Sequence, residues 1–496
     1  MSRMKISILT SKTAEQMVKE VVTNDNRSNL DVDILALPIP VISILDTKAI
    51  SKIILRRNEI LDKIKKSDMI IIPGLVNGST EVIENLINKT TYKGPRSLGN
   101  LPYALDFISN GGKLDKIKSA EEMMGEIQPK LSYKIAFKIS NVDIPIRGPP
   151  THIISEIISD IEVLKTDKLA KRYVEDGAKI LMIGSNINKD ISEIKQKIKI
   201  AKRYAPVIVE VSNKEQIEGY LSEDIEGISI SAEESINFID MFPKNFSIII
   251  GSRSFDALNN AYNLLSKKGI NVIIDPVVGI PIIDFVSSIE RYIKARDMIQ
   301  TPIMFSAADV TEEMESDTHG LHAMLSIIST ELGASLYLVV EETYKSYRGT
   351  AEAKESLRIA ETSYSLKSSP RGLYSKLLIV KQSDPPLEIG DKVNTEYIGY
   401  IPPDYNLSEY IQIFVDHDRK TIKVLYKKDG KIVAAIEGNH ALSLAREIAK
   451  RTDISKDHIA YLGYELSKAE IALKLGKSYI QDEPIIMPIW KGEYDE

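Results

Sequence analysis

Residues 246–281 read FSIIIGSRSFDALNNAYNLLSKKGINVIIDPVVGIP, in which two short apolar runs flank a helical pattern. The runs FSIIIGS and NVIIDPV have the length and β-branched content of buried strands, and a helix between two parallel strands is the usual crossover. The same unit recurs along the middle of the chain, with candidate strands at 133–140, 178–184, 206–212, 226–232, 246–252, 271–277, 302–307 and 335–342. Eight strands, each followed by a helical pattern, predict a (β/α)8 barrel. A doubly wound sheet, built from the same units without closing, is the alternative.

The composition is that of a globular protein and disfavours several functional classes. Hydrophobic residues make up 43% and charged residues 27%, and the formal charge of −6 provides no general field for nucleic acid or an anionic membrane. The chain has no cysteine, which excludes disulfides, thiol nucleophiles and cysteine zinc sites. The segment MSRMKISILTSK at the start does not resemble a signal peptide, and no apolar run reaches membrane-spanning length. We therefore expect a cytoplasmic protein with no nucleic-acid or membrane partner.

At 496 residues the chain is too long for one ordinary core. Residues 1–130 alternate strand and helix patterns and predict a small Rossmann-like or flavodoxin-like α/β domain. Residues 131–378 contain the barrel units. The breaker-rich stretch KQSDPPLEIGDK lies at the start of residues 379–496, where strand patterns around the turn KKDGK and two helical patterns predict a small α+β domain.

Two loops of the N-terminal domain contain glycine and polar residues. Pro73-Gly74 follows its third strand, and the turn KGPRSLGN lies at 93–100. A ligand crevice at the strand ends is one interpretation, but ordinary strand-to-helix turns are favoured, because no GxGxxG or GxxxxGK[ST] motif is present.

In a (β/α)8 barrel the polar residues at the carboxyl ends of the strands converge on one mouth, where active sites occur. This rule selects Asn141, Asp143, Arg147, Ser185, Asn186, Glu210, Ser212, Ser229, Ser231, Asp275, Asp309, Thr311, Glu312, Glu341, Glu342, Lys345 and Arg348. Asp275 and Glu210 stand out, because each carboxylate lies within an apolar context.

The spacing Asp317-x-His319-x-x-His322 places two histidines on one helix face, which is a metal-ligand pattern. We favour a structural interpretation, in which Asp317 caps a helix and the histidines are partly exposed helix residues. No metal site is therefore predicted.

Several longer segments resemble the archaeal dihydropteroate synthase-related proteins, which join a pterin-binding barrel to an N-terminal α/β domain and a characteristic C-terminal domain. In the barrel the resemblance rests on GPPTHIISEI (148–157), YVEDGAKILMIG (173–184), PVIVEV (206–211), IIDPVVGIP (273–281), SIERYIKARD (288–297), DVTEEMESDTHGLHAMLSIISTELG (309–333) and YKSYRGTAEAKESLRIA (344–360). Outside the barrel it rests on IIIPGLVNGS, GPRSLGNLPYAL and, most specifically, YLGYELSKAEIALKLGKSYIQDEPI (461–485).

The resemblance implies that Asp275 is the strand-six aspartate that binds the donor edge of a pterin, since an ionised carboxylate accepts two adjacent N–H donors well. Glu210 stands where related enzymes carry a strand-three aspartate. We expect pterin contacts from Asp275, Glu210, Ser231 and Asn186, and diphosphate or acceptor contacts from Arg147, Asp309, Lys345 and Arg348. No catalytic residue is assigned.

The chain also departs from the family pattern. Met182 replaces a usual aspartate, and Ser306, Ala307 and Ala308 replace a glycine-rich segment ahead of Asp309. The strand-seven lysine and the strand-eight Arg-x-His of true synthases have no counterpart, because strand eight ends in VVEETYK. These departures affect the diphosphate site more than the pterin site.

Three functions remain open at this point. The first is a transferase that joins a dihydropterin diphosphate to an arylamine in folate- or methanopterin-type cofactor synthesis, with pterin as substrate, Mg²⁺ on the diphosphate and no covalently bound cofactor. The second is a pterin-dependent methyltransferase, and the third is a non-catalytic pterin-binding protein. A homodimer is also expected.

Overall fold

The computed structural model describes residues 3–23, 29–185, 190–371, 373, 375–378, 396–399, 401 and 409–485. The chain divides into two compact units, Met1–Val340 with Gly349–Leu378 and Glu341–Arg348 with Ile379–Glu496. We call these the first and the second unit. The predicted division at 130 and 378 stays a prediction. Among the described residues no helix has both the length and the apolar composition needed to cross a membrane.

The first unit begins with an open parallel sheet. Its strands are β1 (Met4–Ser11), β2 (Leu30–Leu37), β3 (Met69–Ile72) and β4 (Thr91–Lys93), and its helices are α1 (Glu15–Thr23), α2 (Thr47–Leu55), α3 (Asn58–Lys65), α4 (Glu81–Ile87), α5 (Leu101–Ser109) and α6 (Ala120–Met124). The strand order is β2-β1-β3-β4, with every pair parallel. Buried residues lie on both faces of the sheet, Leu9 and Ile72 in one core and Ile6 and Ile8 in another. Helices therefore cover both faces, as the alternating pattern predicted.

A short antiparallel hairpin precedes the barrel and consists of β5 (Ile135–Ile139) and β6 (Val142–Pro145). Its buried side chains Ile139 and Ile144 belong to the same core cluster as the side chains inside the barrel. The hairpin lies at the amino ends of the barrel strands, because the Asp143 carbonyl oxygen is 2.8 Å from His152 Nε2 and Ser335 Oγ donates to the Pro145 carbonyl oxygen at 2.8 Å. It therefore closes the end of the barrel opposite the mouth.

The prediction of a (β/α)8 barrel is confirmed. The strands are β7 (His152–Ile157), β8 (Ile180–Ile183), β9 (Val207–Glu210), β10 (Gly227–Ser231), β11 (Ser247–Gly251), β12 (Asn271–Asp275), β13 (Met304–Ser306) and β14 (Leu336–Val340). They form one parallel sheet in the order β12-β11-β10-β9-β8-β7-β14-β13, and an Ile274–Ile303 bridge joins its two edges. The prediction that residues 133–140 form the first barrel strand was wrong, because this segment pairs within the hairpin and β7 takes that place.

The helices around the barrel are α7 (Val163–Asp176), α8 (Ile191–Ala201), α9 (Lys214–Leu221), α10 (Ala232–Asn237), α11 (Phe255–Lys267), α12 (Phe285–Met298), α13 (Ala308–Thr311), α14 (Thr318–Glu331) and α15 (Gly349–Leu366). Two cores result. Ile154, Ile208 and Ile273 point into the barrel, whereas Ile274 and Tyr292 belong to the core between the strands and the helices. Alternate residues of each strand thus supply opposite faces.

The second unit contains an antiparallel sheet with two helices. Its elements are β15 (Glu409–Asp416), β16 (Thr421–Lys428), β17 (Lys431–Gly438), α16 (Ala441–Arg451) and α17 (Lys456–Leu475). Ile411 and Val424 from the sheet share a core with Leu462 and Leu466 from α17. The described part of the predicted α+β domain therefore has the expected fold.

A buried polar network ties the segment just after α17 to that helix. Glu465 is 1% exposed, and its Oε1 accepts from Lys468 Nζ at 2.6 Å. Its Oε2 accepts from the Tyr479 hydroxyl at 2.7 Å. The polar residues of the segment YLGYELSKAEIALKLGKSYIQDEPI therefore hydrogen-bond to one another, which gives this segment a structural role.

Candidate functional site

Asp275 is the last residue of β12 and lies at the mouth of the barrel. Its Oδ1 accepts two hydrogen bonds of 2.8 Å, one from the Val277 N–H and one from the Tyr292 hydroxyl. Among the described residues no group donates to Oδ2, and Asp275 keeps some accessible surface. One carboxylate oxygen is therefore fixed by the protein, and the other remains available to a ligand.

Tyr292 comes from α12 and is fully buried. Its ring packs against Phe305 with the centroids 5.3 Å apart, which fixes the hydroxyl in position. The same hydroxyl lies 3.1 Å from the Met304 carbonyl oxygen, so that its single proton can serve either this oxygen or the Asp275 carboxylate. Burial, followed by the neighbouring Asp275 charge, raises the pKa of Tyr292 and keeps it a donor.

Burial raises the pKa of Asp275 to about 7, against the opposing effect of the hydrogen bonds from Val277 and Tyr292. The nearby Asp309 carboxylate raises the pKa of Asp275 further, and Arg291 lowers it. Asp275 is thus close to half ionised at neutral pH, a property that is more frequent in functional sites than elsewhere.

The loop after β12 is held by backbone contacts. Arg291 of α12 donates to the carbonyl oxygens of Pro276 at 3.2 Å and Val277 at 2.9 Å, and to Asp284 Oδ2 at 3.1 Å. A Cβ at Gly279 would lie 2.4 Å from the Asp284 backbone, so only glycine allows the chain to turn so closely. The loop is therefore fixed beside Asp275, which explains the IIDPVVGIP stretch structurally.

A second carboxylate at the mouth is Asp309, which is half-buried on α13. Burial raises its pKa, while a hydrogen bond with Ser306 and the charge of Arg253 lower it. Arg253 follows β11 and is 57% exposed, with Nη1 3.9 Å from Asp284 Oδ2. Arg253 also follows a strand end, although it was not among the residues predicted from the sequence.

Glu210 ends β9, and the prediction that it is a strand-end carboxylate is consistent with the structure. Its side chain is exposed at the mouth, yet the surrounding strand ends desolvate it enough to raise its pKa, against a hydrogen bond from the Ser185 backbone. Unlike Asp275, it has no buried tyrosine beside it in the described contacts.

Three of the hydroxyl residues selected from the sequence have structural hydrogen bonds. Ser231 caps α10, because its Oγ accepts from the Glu234 N–H at 3.1 Å. Ser185 Oγ lies 2.9 Å from the Tyr220 hydroxyl, and Ser212 donates to Gln216. Asn186, the other predicted pterin contact beside them, lies outside the described residues.

Of the three predicted cations, Arg147 lies away from this mouth. The Arg147 guanidinium donates to backbone carbonyl oxygens, including that of Arg296 at 2.7 Å. Arg147 lies at the amino ends of the strands, because the N–H of the next residue, Gly148, donates to the Gly333 carbonyl oxygen ahead of β14. The predicted role of Arg147 at the mouth is therefore corrected, because the first strand was misplaced. Lys345 and Arg348 belong to the second unit, outside the unit that contains the barrel.

The glycine-rich loops of the N-terminal sheet contact each other. The Gly74 N–H donates to the Pro95 carbonyl oxygen at 2.9 Å, and a Cβ at Gly74 would lie 2.5 Å from the Gly94 oxygen. The buried Glu121 carboxylate accepts from the Arg96 N–H at 2.8 Å. These contacts support the interpretation of the loops as structural turns.

Comparison with known proteins gives two kinds of match. Residues 408–482 match the family model described as PterinBD-DUF4346. The chain is 25% identical over 537 aligned residues to "Uncharacterized protein MJ0107" of Methanocaldococcus jannaschii, across 97% of this chain and 98% of that protein.

Two of the solved structures that align with part of this chain are enzymes by name. Dihydropteroate synthase of Xanthomonas albilineans, solved with 4-aminobenzoic acid, aligns with 43% of this chain and 93% of its own, at 13% identity and a TM-score of 0.35. Phospho-2-dehydro-3-deoxyheptonate aldolase of Thermotoga maritima aligns with 48% of this chain and 76% of its own, at 14% identity and a TM-score of 0.38.

Proposed function

We propose that the chain, whose residues 408–482 match the PterinBD-DUF4346 family model, is a dihydropteroate synthase-related protein that binds a reduced pterin at the barrel mouth through Asp275. The finer proposal is a transferase that joins a dihydropterin diphosphate to an arylamine. This reaction belongs to the synthesis of folate- or methanopterin-type cofactors.

The observation that carries the proposal is the asymmetric environment of the Asp275 carboxylate. Tyr292 and the Val277 N–H fix Oδ1, which leaves Oδ2 for an incoming donor. A pterin presents adjacent N–H donors, and two parallel hydrogen bonds require both carboxylate oxygens. If the Tyr292 proton turns to the Met304 oxygen, Oδ1 can accept the second donor.

The transfer itself breaks the bond between the pterin methylene carbon and a diphosphate oxygen and forms a bond from that carbon to the amine nitrogen. The amine then loses a proton, and diphosphate leaves. Carboxylates such as Asp309 and Glu210 suit the positive charge that develops on the pterin, so their contribution is electrostatic stabilisation. Arg253 is a cation beside Asp309 and is our candidate contact for the diphosphate.

Isothermal titration calorimetry on the full chain tests both levels of the proposal. The ligands are a dihydropterin, a dihydropterin diphosphate and a methylated tetrahydropterin. The diphosphate is titrated in the presence of Mg²⁺, because this ion coordinates phosphate oxygens. Asp275→Asn should remove binding of every pterin. The control Asp224→Asn changes the same charge at a fully exposed position with a φ of 52°, a conformation that asparagine tolerates.

The outcomes separate the three functions. Diphosphate binding that Arg253→Ala weakens, followed by turnover with an arylamine, supports the transferase. Binding of methylated pterin without the diphosphate supports a methyltransferase, and pterin binding without turnover supports a binding protein. If Asp275→Asn binds pterin as the wild type does, the assigned site is wrong.

A further inference from the structure

Three side chains at the starts of two neighbouring helices converge outside the Asp275 site. Asp317 precedes α14, His319 is its second residue and Glu352 lies in the first turn of α15. One ligand atom from each lies within 4.8 Å of the other two. Both helices follow the last barrel strands, β13 and β14, so this group lies on the carboxyl side of the barrel.

The contact between His319 and Glu352 has the dimensions of two metal ligands. His319 Nε2 and Glu352 Oε1 are 3.3 Å apart. Tetrahedral Zn²⁺ with bonds of about 2.1 Å separates two ligand atoms by about 3.4 Å. These two atoms therefore need almost no movement to share an ion.

Asp317 does not have the role expected from its position. It is the N-cap residue of α14, yet its side chain makes no capping hydrogen bond, contrary to the prediction. Its carboxylate has no hydrogen-bond or ion-pair partner among the described residues, and its charge acts on His319. The exposed Asp317 carboxylate is therefore available as a third ligand.

The surroundings orient the Glu352 carboxylate and identify which histidine takes part. Thr318 Oγ1 donates to Glu352 Oε2 at 2.6 Å, the kind of outer contact that orients metal ligands. His322 is fully buried, and its Nδ1 lies 3.0 Å from the Tyr337 hydroxyl, outside the group. The set is therefore not the Asp-x-His-x-x-His spacing seen in the sequence, because Glu352 from the next helix replaces the second histidine.

We propose that Asp317, His319 and Glu352 bind a divalent transition-metal ion. One imidazole and two carboxylates suit Zn²⁺, Mn²⁺ or Fe²⁺. Three protein ligands leave a coordination position open, as in catalytic rather than closed structural zinc sites. The site is independent of the proposed pterin contact at Asp275.

Binding requires one change in hydrogen bonding. The Leu378 N–H lies 3.4 Å from His319 Nδ1, so the proton of a neutral imidazole belongs on Nε2, which faces Glu352. An ion on Nε2 moves the ring proton to Nδ1 and breaks the Leu378 contact, which is already longer than an ordinary hydrogen bond. The exchange releases no net proton from a neutral imidazole.

The test is metal titration of the chelator-treated full chain with Zn²⁺ by calorimetry and with Co²⁺ by visible absorption. We expect one ion per chain and Co²⁺ bands of a site with nitrogen and oxygen ligands. His319→Gln, Glu352→Gln and Asp317→Asn should each weaken binding at least about tenfold, since even the loss of outer contacts has that effect. Glu315→Gln, an exposed charge two residues before Asp317, is the matched control.

Asp275→Asn should bind the ion normally, so that failure of the pterin proposal and failure of this one are distinguishable. If His319→Gln or Glu352→Gln does not fold, Asp317→Asn decides, because its side chain is exposed. The absence of stoichiometric binding to the wild type, or wild-type affinity in Asp317→Asn, would overturn the proposal.

Discussion

The pKa of Asp275 predicts how pterin affinity depends on pH. Only the ionised carboxylate accepts two donors, and burial raises its pKa to about 7 in the free protein. With that pKa about 1% of the chains carry ionised Asp275 at pH 5 and about 90% at pH 8. Affinity should therefore fall about 90-fold from pH 8 to pH 5, which is about 2.7 kcal/mol.

The assay is calorimetric titration of a reduced pterin at half-unit steps from pH 5 to pH 8, with Asp275→Asn and Asp309→Asn in parallel. Asp309 also has a raised pKa, so its removal isolates the contribution of Asp275 and lowers the midpoint slightly, because one neighbouring negative charge is lost. The pterin's own titration appears equally in all variants and is subtracted. A flat profile in the wild type, or an unchanged profile in Asp275→Asn, would refute the reasoning.

The raised pKa of Asp275 also predicts that the free energy of unfolding falls as the pH rises, whereas pterin affinity rises. Between about pH 4 and pH 7 folded Asp275 holds a proton that the unfolded chain has lost, so stability decreases as pH rises through this window. Relative to the ordinary aspartate pKa of 3.8, the effect on the free energy of unfolding is at most about 4 kcal/mol, and residual solvent contact reduces it. Denaturant unfolding at several pH values should show this slope in the wild type and a smaller one in Asp275→Asn.

Three further predictions concern single side chains. Tyr292→Phe removes a donor to Asp275, so the midpoint of the pterin pH profile should move upward, and the fold should lose about 1 kcal/mol in urea unfolding. Ile144→Ala leaves a cavity where the hairpin enters the barrel and should cost about 2–5 kcal/mol in the same assay, without changing the pH midpoint. Glu465→Gln leaves Lys468 with a buried unpaired charge and should destabilise the second unit by about 3–5 kcal/mol, measured by hydrogen exchange of α17; an effect below 1 kcal/mol would contradict the buried-pair interpretation.

The strand and helix periodicity was sufficient to predict the barrel but not which segment begins it. The run YKIAFKIS has the length and alternation of a strand, and the structure does make it one. Its partner is the adjacent β6, however, and strand pairing is a non-local property that a local pattern does not contain. Because this segment was predicted to be the first barrel strand, Arg147 was predicted at the mouth, whereas it lies at the amino ends of the strands.

The strand-end rule likewise identified carboxylates without distinguishing between them. Asp275 and Glu210 both end barrel strands inside apolar runs, so the sequence treats them alike. The two carboxylates differ in their contacts with α12. The Tyr292 hydroxyl donates to Asp275, and Arg291 hydrogen-bonds to the backbone of the loop beside it. Both residues lie in a helical segment whose apolar spacing indicates only packing. The strand-end rule considers residues at the ends of strands, so it does not select them.

This distinction also bears on the chemistry of the mouth. A carboxylate that the protein holds by hydrogen bonds is oriented before the ligand binds, so it contributes directional hydrogen bonding as well as charge. A carboxylate without such contacts contributes mainly charge. Asp275 therefore suits recognition of a flat donor edge, and Glu210 and Asp309 suit stabilisation of positive charge near that edge. Burial raises the pKa of all three carboxyl groups, and repulsion from the Asp309 charge raises the pKa of Asp275 further. A ligand that supplies N–H donors, or positive charge, relieves this repulsion, and an anionic ligand needs Arg253 or a bound cation to offset it.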